Sequence, residues 1–423
     1  MVRRMSSFGT VAILLGISLS VEAQEIKLAQ QRVQADQATF SSLLNGNICG
    51  DACGAEGCGA EGCQQGCGTC FNWGKCTWLS VGGGIRTSYS NKQDFNVDNA
   101  RLYFNGKGHE RIGFELNTDI NNAQGWYGGN AQSGEMRILD AIVKFQISEG
   151  VHLWMGRLLP PSDRANLSGP FFQNNWNFPY TQFGYPNIFQ GRDDGASLWG
   201  EVGGGAFKWA VGAFEGESSG GPFNDLLPVE DNTMFTGRVV LNLLDPEPGY
   251  YNSSTYYGEK EIMAIGAAVM HRADTHGPGQ DYTGWNIDAL FETKLDNGGV
   301  VTLEGAYYDQ DDSGAFIPLP PSNGSRQGTS YFVLGSYLFA EECCIFDIPG
   351  KFQVMTRYQD YDRTAGGDGE GNYAAVGTDD TTDLQLNYIM FGHNARVSAI
   401  WSQHNGIGSG ASNTFTLGAQ LQF

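Results

Sequence analysis

Beyond its first two dozen residues the chain has no apolar run of the roughly 20 residues that a membrane-spanning helix needs. Any membrane span must therefore be made of strands. Basic side chains are also scarce: 25 Lys and Arg against 46 Asp and Glu leave a formal charge of -21. Nucleic acid is bound through a basic surface, so it is excluded as a partner. The six histidines, His109, His152, His271, His276, His393 and His404, sit in no recognisable motif. A hydrolase needs a nucleophile paired with a base, and Ser402 near His404 in sequence does not supply one. Glycosidase chemistry needs two placed carboxylates, and acids are too numerous here for any pair to be singled out. Neither an enzymatic activity nor a cofactor is expected.

Cysteine is absent from most of the chain. Of nine, seven (Cys49, Cys53, Cys58, Cys63, Cys67, Cys70 and Cys76) fall in one Gly-rich stretch that contains two copies of GAEGC, and the others are the vicinal Cys343 and Cys344. Cys67 and Cys70 form a CxxC, but a zinc ribbon wants two such pairs at a regular separation, so no metal site is expected. In an exported chain this density points to disulfides, and an odd total points to a free thiol or a crosslink to an envelope partner.

Export is what the front of the chain indicates. Arg3 and Arg4 precede an apolar stretch from Val11 to Leu19, and Val21-Glu22-Ala23 offers the small residues a signal peptidase accepts. The expected division is a signal peptide over 1–23, a periplasmic polar and Cys-rich segment over 24–76, and a barrel over 77–423.

The barrel follows from a two-residue period. In TFTLGAQLQF at the C-terminus, Phe415, Leu417, Ala419 and Leu421 alternate with Thr416, Gly418, Gln420 and Gln422. That is the period of a strand with one apolar and one polar face. The pattern recurs sixteen times, near 78–89, 98–107, 110–121, 137–147, 151–157, 195–203, 206–216, 234–243, 261–271, 283–295, 299–309, 329–340, 351–361, 381–391, 394–403 and 413–423. Short connections such as GKGH, SEG and DNG alternate with long polar ones, as periplasmic turns and extracellular loops do. Two connections on the short side break the rule, 244–260 and 341–350.

Charge decides between lipid and water. One face carries Arg86, Arg101, Arg111, Lys144, Arg238, Lys294, Arg357 and Arg396, with Glu115, Asp119, Asp140, Asp288, Glu292, Glu304 and Asp383. An Arg or Lys facing lipid at the midplane costs about 2–4 kcal/mol, so this face must line a wet lumen. The reading is an all-β transmembrane antiparallel barrel of about 16 strands, closed so that no strand edge meets hydrocarbon. The final Phe423 is similar to the C-terminal signal that the barrel-assembly machinery recognises.

The longest connection, LLPPSDRANLSGPFFQNNWNFPYTQFGYPNIFQGRDDG, is rich in aromatics that want burial, and the barrel interior offers it. Folded inward as a third loop, it would place Arg157, Asp163, Arg164, Arg192, Asp193 and Asp194 at a pore constriction.

DNARLYFNGKGHERIGFELNTDI, then ILDAIVKFQISEGVHLWMGRLLPP, the long loop, and GRDDGASLWGEVGGGAFKWAVGAFEG together resemble the phosphate-selective porin O and P family. The resemblance covers roughly 78–423 and is best over 98–216. It implies a sixteen-stranded barrel, commonly a homo-trimer, with an inward third loop. Phosphate selectivity in that family depends on a ladder of arginines and a cluster of lysines, for which only Lys144, Lys294 and a few arginines are candidates here. The expected function is passive diffusion of ions and small hydrophilic solutes across an outer-membrane lipid bilayer. The rival is a structural envelope barrel, crosslinked through its Cys-rich segment, with little or no conductance.

Overall fold

The computed structural model describes residues 69–74, 77–120, 136–179, 191–216, 232–275, 279, 281–312, 327–363, 377–406 and 410–423. They form one antiparallel sheet of 17 strands. In order these are β1 Thr69–Gly74, β2 Thr77–Ser90, β3 Asp94–His109, β4 Ile112–Ile120, β5 Met136–Ser148, β6 Val151–Leu158, β7 Asp193–Val202, β8 Phe207–Phe214 and β9 Met234–Asn242. They continue with β10 Ile262–Arg272, β11 Tyr282–Lys294, β12 Val300–Asp312, β13 Gly328–Ile345, β14 Ile348–Arg363, β15 Gly377–Phe391, β16 Ala395–Gly406 and β17 Gly410–Gln422. A single-turn helix, α1 (Arg164–Ser168), lies between β6 and β7.

Strands β2 to β17 are the sixteen alternating segments, each paired with its successor. The ring closes where β17 pairs with β2, from Thr416 opposite Ser90 to Gln422 opposite Gly84. Closure leaves no edge in the hydrocarbon. The backbone of Phe423 exchanges both hydrogen bonds with Gly83, at 3.0 and 3.1 Å. Below that point β1 takes over the same edge of β2, running from Thr69 opposite Val81 to Gly74 opposite Thr77. Sequence periodicity missed β1, a short strand buried in the Cys-rich composition.

Burial alternates as the two-residue period requires. Along β11 every second residue from Tyr282 to Glu292 is buried, while Trp285, Ile287 and Phe291 are exposed. The exposed row is apolar around the ring, with Ile265, Leu303, Val333, Leu384, Leu386 and Leu417 among its members. It carries Trp285, Tyr307, Tyr331 and Tyr358 at a common level, in contact pairwise. An apolar band rimmed by aromatics is the exterior of a membrane barrel.

The alternation fails with consequence in β5. Asn117 pairs with Asp140 but Thr118 pairs with Ile138, so Leu139 is an extra residue in β5. This bulge turns Leu139 inward, where it is 1 % exposed, instead of outward as the period requires.

Connections on one rim are tight turns: residues 110–111, 149–150, 203–206, 295–299, 346–347 and 392–394. The exception on that rim is the connection from Leu243 to Glu261 between β9 and β10. Cys343 and Cys344 lie beside one of the tight turns, on the end of the β13–β14 hairpin. They have no disulfide partner among the described residues. Cys49, Cys53, Cys58, Cys63, Cys67 and Cys76 lie outside the described residues, and Cys70 is on β1.

Candidate functional site in the barrel lumen

The loop after β6 runs across the inside of the barrel. Asp163 caps α1 by accepting from the Asn166 backbone N–H, and Gly169 ends the helix at φ 68°, a left-handed conformation that favours glycine. The helix is buried throughout. Past it, the loop meets a long arc of the wall. Asp163 accepts from the Tyr308 hydroxyl on β12 at 2.9 Å, and Asn174 donates to Ser336 on β13 at 2.9 Å. Asn175 donates to Asp383 on β15, and the Trp176 indole N–H reaches Asp98 on β3. Arg357 and Arg396 donate to the loop carbonyls of Asn177 and Gln173, both at 2.8 Å, and Gln420 to that of Phe171.

Two glycines make this docking possible. A Cβ on Gly84 would lie 2.8 Å from the Phe171 ring, and one on Gly418 would lie 2.6 Å from the Trp176 ring. A strand glycine often marks such a close approach. Gly418→Leu is expected to lift Trp176 off β17. Faster cleavage of the loop by added protease, in a barrel that still migrates as folded, would show it; wild-type cleavage rates would mean the ring does not depend on that space.

The connection from Leu243 to Glu261 enters from the opposite rim and meets the loop. Arg164 and Glu247 form a bidentate pair at 2.5 and 2.8 Å, each side chain 1 % exposed. Arg164 also donates to the Ser253 carbonyl at 2.8 Å, and the Tyr250 hydroxyl donates to the Leu159 carbonyl at 2.8 Å. Burial disfavours the Glu247 carboxylate, but the Arg164 charge and hydrogen bonds outweigh it and hold its pKa down at about 2. The pair is thus fully formed above the ordinary carboxylate range and is lost only as pH falls towards 2. Asp163 shifts the other way, to about 6, because burial and the neighbouring Asp288 both disfavour its charge. His393, in the turn between β15 and β16, is pushed down to about 4 by burial and is neutral at physiological pH.

The constriction charges expected from sequence therefore sit in buried contacts. Arg164 pairs with Glu247; Arg192 pairs with Asp140 at 3.0 Å; Asp193 is 0 % exposed and accepts from Gly216 N–H at 2.7 Å. Only Arg157 and Asp194, paired at 2.7 Å, keep substantial exposure. A loop charge meets a wall charge because both are desolvated together, and an unpaired one would be costly.

Most of the wall charges expected to line water also face inward and are paired: Arg101 with Asp119 (2.7 Å), Lys144 with Glu115, Arg238 with Asp288 (2.6 Å) and Arg357 with Asp383 (2.8 Å). Glu292 accepts from Thr255, Thr302 and the backbone of Tyr256 and Gly258, and Glu304 accepts from Ser254. Arg111 and Lys294 are corrections: Arg111 falls in a turn, Lys294 at the end of β11, and both are exposed at the rim. Arg86 and Arg396 are the exceptions to pairing. They flank Trp176, their guanidinium carbons 4.1 and 5.6 Å from its ring centroid, with no carboxylate at ion-pair distance among the described residues.

Sequence reasoning missed that part of the interior is apolar. Ile142, Trp154, Trp199, Ala210 and Phe214 point inward and pack with Leu159, Leu167 and Tyr250 of the two inserted segments. In β6 and β8 both faces are apolar, so the period gave no warning that one face is covered by protein rather than water.

Residues 83–170 match the family described as phosphate-selective porin O and P. Among solved structures, OprB of Pseudomonas putida at high pH shares 12 % identity with a TM-score of 0.50, covering 82 % of this chain and 94 % of its own. OmpT of Vibrio cholerae shares 11 % at a TM-score of 0.47 over 83 % and 99 %. An anion-selective porin from Comamonas acidovorans shares 12 % at 0.46 over 82 % and 100 %. No curated protein matches the chain. The OprB likeness bears on the fold alone, and it agrees with the closed β-barrel described above.

Proposed function

We propose that this outer-membrane barrel is a porin that passes ions and small hydrophilic solutes by passive diffusion, filtered at the level where the loop after β6 crosses the lumen. The observation that carries the reading is the segregation of charge. The outward row is apolar and rimmed by aromatics, while fifteen wall charges were expected inside and all but Arg111 and Lys294 lie there. The family match over 83–170 supports it. A cleaved signal peptide ending at Ala23, a homo-trimeric assembly and insertion guided by Phe423 belong to the same proposal. Arg86 and Arg396, lacking carboxylate partners, would favour anions at the filter.

A second reading is a structural barrel with little conductance, crosslinked by its cysteines. The burial of interior charges favours it: Asp119, Asp193, Glu292 and Arg396 are each 0 % exposed. Single-channel recording of the mature protein in a planar bilayer separates the two. Stepwise currents, with a reversal potential of anion sign in a salt gradient, are expected of the porin. A folded, inserted and silent barrel would transfer the assignment to the structural role.

A further inference from the structure

The turn rim of a porin barrel has no structural need for a long connection, since adjacent antiparallel strands join through a few residues. Here all the described turns on that rim are short except the one between β9 and β10. Its middle is among the most buried parts of the molecule: Glu247 is 1 % exposed, and Ser254 and Thr255 are 0 % exposed.

Its contacts reach walls half a ring apart. At one end Gly249 N–H donates to Glu201 on β7 at 2.7 Å, and Asn252 accepts from Lys208 on β8 at 2.9 Å. At the other, Ser253 and the Thr255 carbonyl bond the His393 ring at 3.2 and 2.9 Å, in the turn after β15. In a ring of sixteen, β7 and β15 stand opposite each other. The segment crosses the lumen, and Arg164–Glu247 clips it to the loop that crosses from the other side.

We propose that the connection from Leu243 to Glu261 is a second filter element, which determines the size of solute passed jointly with the loop after β6. This rests on the porin reading. A loop alone, anchored to one rim, would leave the turn-side half of the lumen open to solvent. The connection enters that half, and hydrogen bonds from Gly258 N–H, Thr255 and Ser254 to the wall carboxylates Glu292 and Glu304 fix it to β11 and β12. Solute size is then set by two protein layers entering from opposite ends.

The test replaces Gly249–Tyr257 by a short Gly-Ser turn in the full-length mature protein, leaving the β9–β10 register from Ala264 opposite Asn242 untouched. Single-channel conductance and exclusion of uncharged polyethylene glycols of graded size are recorded in planar bilayers. The shortened variant is expected to conduct several-fold more than wild type and to admit larger polymers. A folded variant with wild-type conductance and cut-off overturns the inference while leaving the porin reading intact. If wild type and variant are both folded and silent, the porin reading itself has failed. Should the shortened chain not fold, Glu247→Gln unclips the two layers without changing chain length. More frequent or larger openings would support the inference, and an unchanged current trace would overturn it.

Discussion

Asp119→Ala is expected to cost the barrel about 3–5 kcal/mol, the range for removing one partner of a buried ion pair. Asp119 is 0 % exposed and accepts from Arg101 Nε at 2.7 Å, Asn99 at 2.8 Å and the Ala100 N–H at 3.0 Å. Its loss leaves a 7 %-exposed Arg101 with its nearest carboxylate gone, and strips the acceptor from these three donors and from the Ile120 N–H. Asp119→Asn keeps the shape and part of the hydrogen bonding but not the charge, so it should fall between. Urea unfolding of protein refolded in lipid vesicles measures both. Equal stability of wild type and Asp119→Ala would mean that water reaches Arg101 and that the lumen at this level is wetter than its burial indicates.

Val333→Arg should be nearly as damaging for the opposite reason. Val333 is 57 % exposed on the outward row, between the aromatic level of Tyr331 and the turn-side Tyr337. A charge there meets hydrocarbon, at about 2–4 kcal/mol near the midplane. The same substitution in a rim turn, such as at Phe346, 93 % exposed, should be nearly neutral. Refolding yield and vesicle unfolding midpoints would order the pair. A neutral Val333→Arg would place that face against water or a protein neighbour instead of lipid.

Much of the barrel was legible because a strand writes its two environments into alternate letters. Each of β2 to β17 overlaps its sequence segment closely, and Ile287 against Asp288 or Leu384 against Asp383 is enough to set the facing. Leu139 was not legible, since a bulge inserts one residue without changing composition. The apolar interior was hidden for a related reason: Trp154 and Phe214 look the same in sequence whether lipid or another segment covers them.

The site was read less well than the fold. Aromatic content marked the long loop as something to bury, and its charges were singled out as a constriction, whereas most of them sit in buried pairs. Their partners could not be found, because Arg164 to Glu247 and Arg192 to Asp140 join positions far apart in the chain. The connection between β9 and β10 announced itself only as a violation of the short-turn rule. That violation was the available signal for its inward course.

The small strand β1 has a mechanical meaning. It lies outside the closed ring, held to β2 by a ladder from Thr69 to Gly74, at the place where the chain's last residue is fastened to Gly83. A pull on the residues that precede Thr69 reaches this ladder before it reaches any stave of the barrel. The hairpin would open from its Thr69 end, one rung after another, and the sixteen staves would stay sealed. Under such a pull β1 would part first, and the wall of the barrel would be spared the load.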